Sequence, residues 1–317
     1  MTLRLLLLLA AMPHPVFAQT PAETLIAAGH WKRARVLVDA AIRERPNDAL
    51  ANFLLSQVSH AFGDSTSPLP LAEKAVALNG GVAKFHRQVA EAVGVAAQRA
   101  NPIQQLFLAR RFRKEIDRAL ELDPQDAQAW RDLMEYYRLA PGIAGGDRAK
   151  AIATAKRLGA VDPAEGFMAQ AQLSAGGAES LYRQAVECRP GSYRARIALA
   201  SFYLEPEHRN FAAAEAQARE AMRIEAGRVD AYVVLARAYA EAARWSDLDA
   251  LLETSAKEVP DDLAPYYRAA EVLQARRREP DRARRYLEHY LTLPPEGNQP
   301  TLADARRALD AARRAAP

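Results

Sequence analysis

The stretch Ala127–Pro163 carries two helical faces in succession. Trp130, Leu133 and Tyr137 fall on one face, and Ala151, Ala155 and Leu158 fall on a second after an interruption. An apolar residue every three to four positions predicts an amphipathic helix. The interruption, Pro141-Gly142-Ile143-Ala144-Gly145-Gly146-Asp147, cannot continue one, because proline lacks the amide hydrogen and glycine favours turns. The unit reads as two antiparallel helices, A and B, joined by a loop. Val229–Pro260 repeats it, with Tyr232, Leu235, Ala236 and Tyr239 on helix A and Leu248, Leu252 and Ser255 on helix B.

Helix-ending signals recur along the chain at Pro46, Gly80, Pro124, Pro163, Pro190, Ala226-Gly227, Pro260 and Pro294. Taken at 46, 80, 124, 163, 190, 226, 260 and 294, they are separated by 34, 44, 39, 27, 36, 34 and 34 residues. A repeated step of this size is the mark of a repeat architecture. Both the step and the order of residues in Val229–Pro260 resemble the tetratricopeptide repeat, with alanine where that pattern has a small glycine. Ala127–Pro163 resembles it through Trp130, Leu133, Tyr137, Ala151 and Pro163, and a third copy through Leu199, Ala200, Tyr203, Ala214, Ala218 and Ala221. The resemblance implies an all-α fold, a right-handed α-solenoid of stacked antiparallel helix hairpins. About seven to eight irregular hairpins would occupy 19–300, and a capping helix would occupy 301–317.

The copies are uneven. The first has little of its helix A, and the copy between 163 and 190 is clipped around Gly166–Ser174. Three copies run long, and Gly94–Ile103, Pro141–Asp147 and Glu205–Asn210 are read as insertions in their A–B turns. After Pro300, Thr301 and Asp304 are placed to cap a final helix, Leu302–Ala315, whose arginines keep its outer side wet.

The first 18 residues read as a secretory signal. Arg4 precedes the apolar run Leu5–Ala11, and Val16-Phe17-Ala18 places small residues at −3 and −1. Cleavage between Ala18 and Gln19 would deliver a periplasmic or secreted protein of the bacterial envelope. That run is shorter than the roughly 20 residues that span a bilayer, and no integral membrane segment is expected. Cys188 is the single cysteine, so an intrachain disulfide is excluded, and its thiol is expected to be tucked at a helix end.

A net charge of +4 over 317 residues is mild, and no concentrated basic stripe suggests nucleic acid. The run Arg110–Lys114 reads as the wet face of a helix. Of the six histidines, His14 lies in the signal and the other five belong to different repeats, and no CxxC, H-E-x-x-H or serine elbow occurs. Neither a metal, a cofactor nor an enzymatic activity is therefore expected. The glycine-rich loop lacks the lysine and hydroxyl of a phosphate loop; Asp147 reads as an N-cap, and Ile143 as a residue that docks the loop or touches a partner.

In proteins with this resemblance, helix A residues line a concave groove. Transferring the repeat phase places Lys84, Arg87, Glu91, Arg131, Glu135, Arg138, Arg194, Arg237 and Arg268 there, with Pro141, Ile143 and Asp147 on the enlarged edge. Arginine suits planar carboxylates, so the resemblance implies a scaffold binding a carboxylate-containing protein or peptide segment. The alternative is that these charges pair with one another. A second reading is self-association into a homo-oligomer, or service as an accessory subunit of an envelope complex.

Overall fold

The computed structural model describes residues 19–64, 67–294 and 297–315; the signal read over 1–18 lies outside them. The described residues form eight helix hairpins and a last single helix, with no strand among them. The hairpins pair α1 (Pro21–Ala27) with α2 (Trp31–Glu44), α3 (Ala49–Ala61) with α4 (Pro68–Leu78), and α5 (Ala83–Arg99) with α6 (Pro102–Leu122). Then come α7 (Ala127–Leu139) with α8 (Arg148–Val161), α9 (Pro163–Leu173) with α10 (Ala178–Cys188), and α11 (Tyr193–Phe202) with α12 (Phe211–Ile224). The last pairs are α13 (Val229–Glu241) with α14 (Trp245–Glu258) and α15 (Ala264–Ala275) with α16 (Pro280–Tyr290), before α17 (Leu302–Ala315). Each hairpin packs on the next, as in an α-solenoid.

Short polar caps start these helices. Thr20 and Glu23 form a reciprocal capping box at α1, and Asn101 and Gln104 form another at α6, each with a proline at the first helical position. Asp126 and Asp147 accept backbone N–H bonds at the starts of α7 and α8, and Thr301 with Asp304 does so at α17. Asp162 ends α8 and caps α9 at once, accepting from Glu165 N at 3.2 Å.

Alanine sets the spacing between helices. Ala34, Ala119, Ala151, Ala155, Ala214, Ala218 and Ala221 are all fully buried on B helices. The repeated aromatic positions Tyr137, Tyr203, Tyr232 and Tyr239 are buried beside them as packing residues. Trp130 is half-buried and donates its indole N–H to Pro124 O at 2.9 Å.

Two expectations need correction. Gly94–Ile103 is not an inserted loop: α5 runs through Gly94 to Arg99, and only Ala100-Asn101 separates it from α6. No stop falls between Gly94 and Pro102, so the added residues extend the two helices to 17 and 21 residues. Cys188 is exposed at the last turn of α10, because the chain turns off at Arg189-Pro190 before anything covers the thiol.

Helices α8 and α9 meet backbone to backbone. A methyl group on Gly166 would lie 2.2 Å from Gly159 Cα and 2.7 Å from its nitrogen, whereas one on Gly159 would meet Gly166 Cα at an ordinary 3.5 Å. Gly166→Ala should therefore lower stability by about 1–3 kcal/mol through overpacking. Gly159→Ala should be neutral or stabilising by up to about 1 kcal/mol, since alanine favours helix. Urea unfolding of the two variants checks the contrast.

Candidate functional site

The A helices of the first four hairpins curve around a concavity of about 1130 Å³. Its walls are α1, α3, α5, α7 and the first half of α6, which reaches into it because the third hairpin is elongated. Ile26, Trp31, Phe53, Leu106, Phe112 and Leu139 provide apolar lining. The far lip is the loop after α7, where Gly142–Ala144 makes one 3₁₀ turn and Gly145 takes a left-handed φ of 100°. Tyr136 holds this loop by donating its hydroxyl to Ala144 O, and Phe112 stacks on Tyr136 at 5.3 Å between centroids. Ile143 and Leu139 project from the lip, 85% and 66% exposed. The enlarged turn thus borders the concavity and does not stand off on a separate edge.

Lys84, Arg87, Glu91, Arg131 and Glu135 all line this space, as do Pro141 and Ile143. Asp147 does not; it accepts from Ala149 N and Lys150 N at 2.9 and 3.1 Å as the cap of α8. Arg138 points to solvent and pairs with Glu135. Arg194, Arg237 and Arg268 belong to later hairpins outside the concavity. Arg194 shares Glu165 with Arg131, which links α7, α9 and α11. Arg268 pairs with Glu271, and half-buried Arg237 has no ion-pair partner among the described residues.

The electrostatics differ from an arginine-rich groove. Glu23, Glu91, Asp132 and Glu135 face Lys84, Arg87 and Arg131, so carboxylates outnumber cations. Lys84 binds Glu23 at 2.7 Å. Burial raises the Glu23 carboxyl, but hydrogen bonds from Lys84 and Thr20 outweigh it and hold the group below its usual value. Arg87 is the exception among the cations. It lies 3.8 Å from both Asp126 and Asp132, too far for good hydrogen bonds, and its buried Nε has no partner. Burial pushes Asp132 up to about 6 against the attraction of Arg87 and Arg131, with Glu91 and Asp126 adding repulsion.

Several lining residues were absent from the expected set. Phe112 sits inside the basic run Arg110–Lys114, and its helical phase opposite those charges was the available signal. Leu139, an apolar residue just before a proline-glycine turn, was another. Trp31 and Ile26 carried none, because the first hairpin is too short to show a repeat.

No protein-family model matches the sequence, and no curated protein matches it. Among solved structures the chain is similar to yeast Tom70, at 16% identity and a TM-score of 0.58 over 93% of this chain. It spans 61% of that protein's length. It is also similar to TTC0263, a thermophilic TPR protein of Thermus thermophilus, at 20% identity over 68% of this chain and 94% of that one, TM-score 0.44. A tetratricopeptide repeat protein from Parabacteroides merdae aligns over 92% of this chain and 96% of its own, at 14% identity and TM-score 0.44. At the identity shared with Tom70 the likeness speaks for architecture alone, and the architecture of this chain is a tetratricopeptide-type α-solenoid.

Proposed function

We propose that the protein is a non-catalytic scaffold, exported to the bacterial envelope, that binds a segment of another protein in the concavity of its first four hairpins. One observation carries the reading: a large apolar-lined hollow encloses an arginine, Arg87, whose buried Nε has no partner. The Arg87 guanidinium has only long contacts, 3.8 Å to Asp126 and Asp132, and a ligand carboxylate meeting its terminal nitrogens would supply the charge-assisted hydrogen bonds it lacks. Apolar side chains of the same segment would fill the space between Phe53, Phe112 and Leu139. The carboxylate contact rests on Arg87, since Arg131 and Arg194 are held by Glu165. Export rests on the sequence of residues 1–18.

Self-association is the second reading, favoured by Ile103 and Phe107, which stand 73% and 61% exposed on the projecting end of the third hairpin. Sedimentation separates the two: a concentration-dependent dimer that Phe107→Glu abolishes supports self-association, and a monomer at all concentrations removes it.

Panning a library of displayed peptides on the mature chain tests the binding reading. The selected peptides should carry apolar residues and a carboxylate. Leu139→Asp and Arg87→Gln should each weaken them at least about tenfold, the loss of about 1.4 kcal/mol. Both variants enriching the same peptides with unchanged affinity would refute the site.

Proton uptake by Asp132 relieves Arg87 of a competing carboxylate, so affinity should rise about fivefold as pH falls from 7 to 5. Asp132→Asn should bind at pH 7 as the native chain does at pH 5, and should lose this pH dependence. The same raised pKa means that the folded chain holds this proton more tightly than the unfolded chain. That contribution to stability is complete below about pH 4 and is lost as pH rises through 6.

A further inference from the structure

The beginning of the solenoid rests on its end. At the start of α2, Arg33 pairs with Asp261 at 2.7 Å, and Nδ1 of the N-cap His30 lies 3.6 Å from the same carboxylate. Lys32 Nζ donates to Asn298 Oδ1 at 2.6 Å, in the segment leading into α17. In the next turn, Phe62 seats against Gly297, where a side-chain carbon would lie 2.8 Å from the ring. These contacts join residues more than 200 positions apart. They also join unlike edges, the A–B turns of the first two hairpins to the turn between α14 and α15 and the segment before α17.

In an open solenoid each hairpin touches only its neighbours. Here the superhelix has completed a turn and its start is tied to its end. The tie is mostly polar, with Phe62 on Gly297 its aromatic part. Burial lowers Lys32 despite the attraction of Asp262 and Asp261, and burial raises Asp262. Such a contact pays desolvation against its ion pairs and is therefore separable where a packed hydrophobic core is not.

The tied hairpin is also a wall of the concavity. Trp31 faces that space while its neighbours Lys32 and Arg33 face the end of the chain. Holding the first hairpin against the α14–α15 turn fixes its tilt relative to α3, α5 and α7. We propose that this contact is a clasp that sets the aperture of the concavity, opening it when the ends part and narrowing it when they join.

Nitroxide-pair distances in a Cys188→Ser background test this without any ligand. Val36→Cys with Arg285→Cys reports the two ends; Ala27→Cys with Leu139→Cys reports the lips of the concavity. Lys32→Glu with Arg33→Glu places like charges against Asp261 and Asp262, and should lengthen both distances with unchanged helicity. Adding Asp261→Lys and Asp262→Lys should restore both. Arg33→Gln, which introduces no repulsion, guards against misfolding of the reversed variant and should broaden both distributions towards longer values. An end distance unchanged by all variants, ends that part without movement of the lips, or a swap that fails to restore them would overturn the clasp.

Discussion

Gly159 on α8 and Gly166 on α9 touch backbone to backbone, and fully buried alanines line the packed faces of other B helices. Small side chains at these crossings set the tilt of each hairpin on the next. The tilt accumulates into curvature, and curvature creates the concavity. Large residues then find room only at positions removed from the crossings, where Tyr137, Tyr203, Tyr232 and Tyr239 fill the gaps between helices. The same spacing brings the A helices of four hairpins around one space and returns the first hairpin to the last.

Where one hairpin departs from the common length, the concavity gains its own shape. The third is extended in both helices, so α6 contributes Leu106 and Phe112 to a space otherwise lined by A helices, Trp31 at the start of α2 and the loop after α7. The fourth ends its first helix in a loop that Tyr136 ties down as a lip. The lining therefore mixes apolar side chains with the charges of α1, α5 and α7. Most charges there are neutralised within the protein, which leaves Arg87 as the group with unmet hydrogen-bonding capacity.

Features carried by local chemistry were legible in the sequence. The phase of Trp130, Leu133 and Tyr137 identified a helix face, and the spacing of stops identified the repeat fold. Asp147 read as a cap and acts as one. Features set by residues far apart in the chain were not legible. Glu165 lies 34 residues from Arg131 and 29 from Arg194, yet it binds both and removes them from the pool of free cations. Asp261 is still farther from Arg33, and no period relates the first turn of a superhelix to its last. The lengthened third hairpin was the intermediate case. Its step of 44 announced extra residues, but their helical character depended on reading the absence of a stop between Gly94 and Pro102.

The central claim is that partner segments enter the concavity of the first four hairpins. A photo-crosslinking residue placed at Leu139 or Ile143, on the lip, tests it directly in an extract of the cell envelope. The same residue at Ile152, an exposed position on α8 outside the concavity, serves as the control. The account predicts one discrete adduct from both lip positions, absent at Ile152 and lost when Arg87→Gln is added. No adduct from the lip, or equal adducts from lip and control, would contradict it.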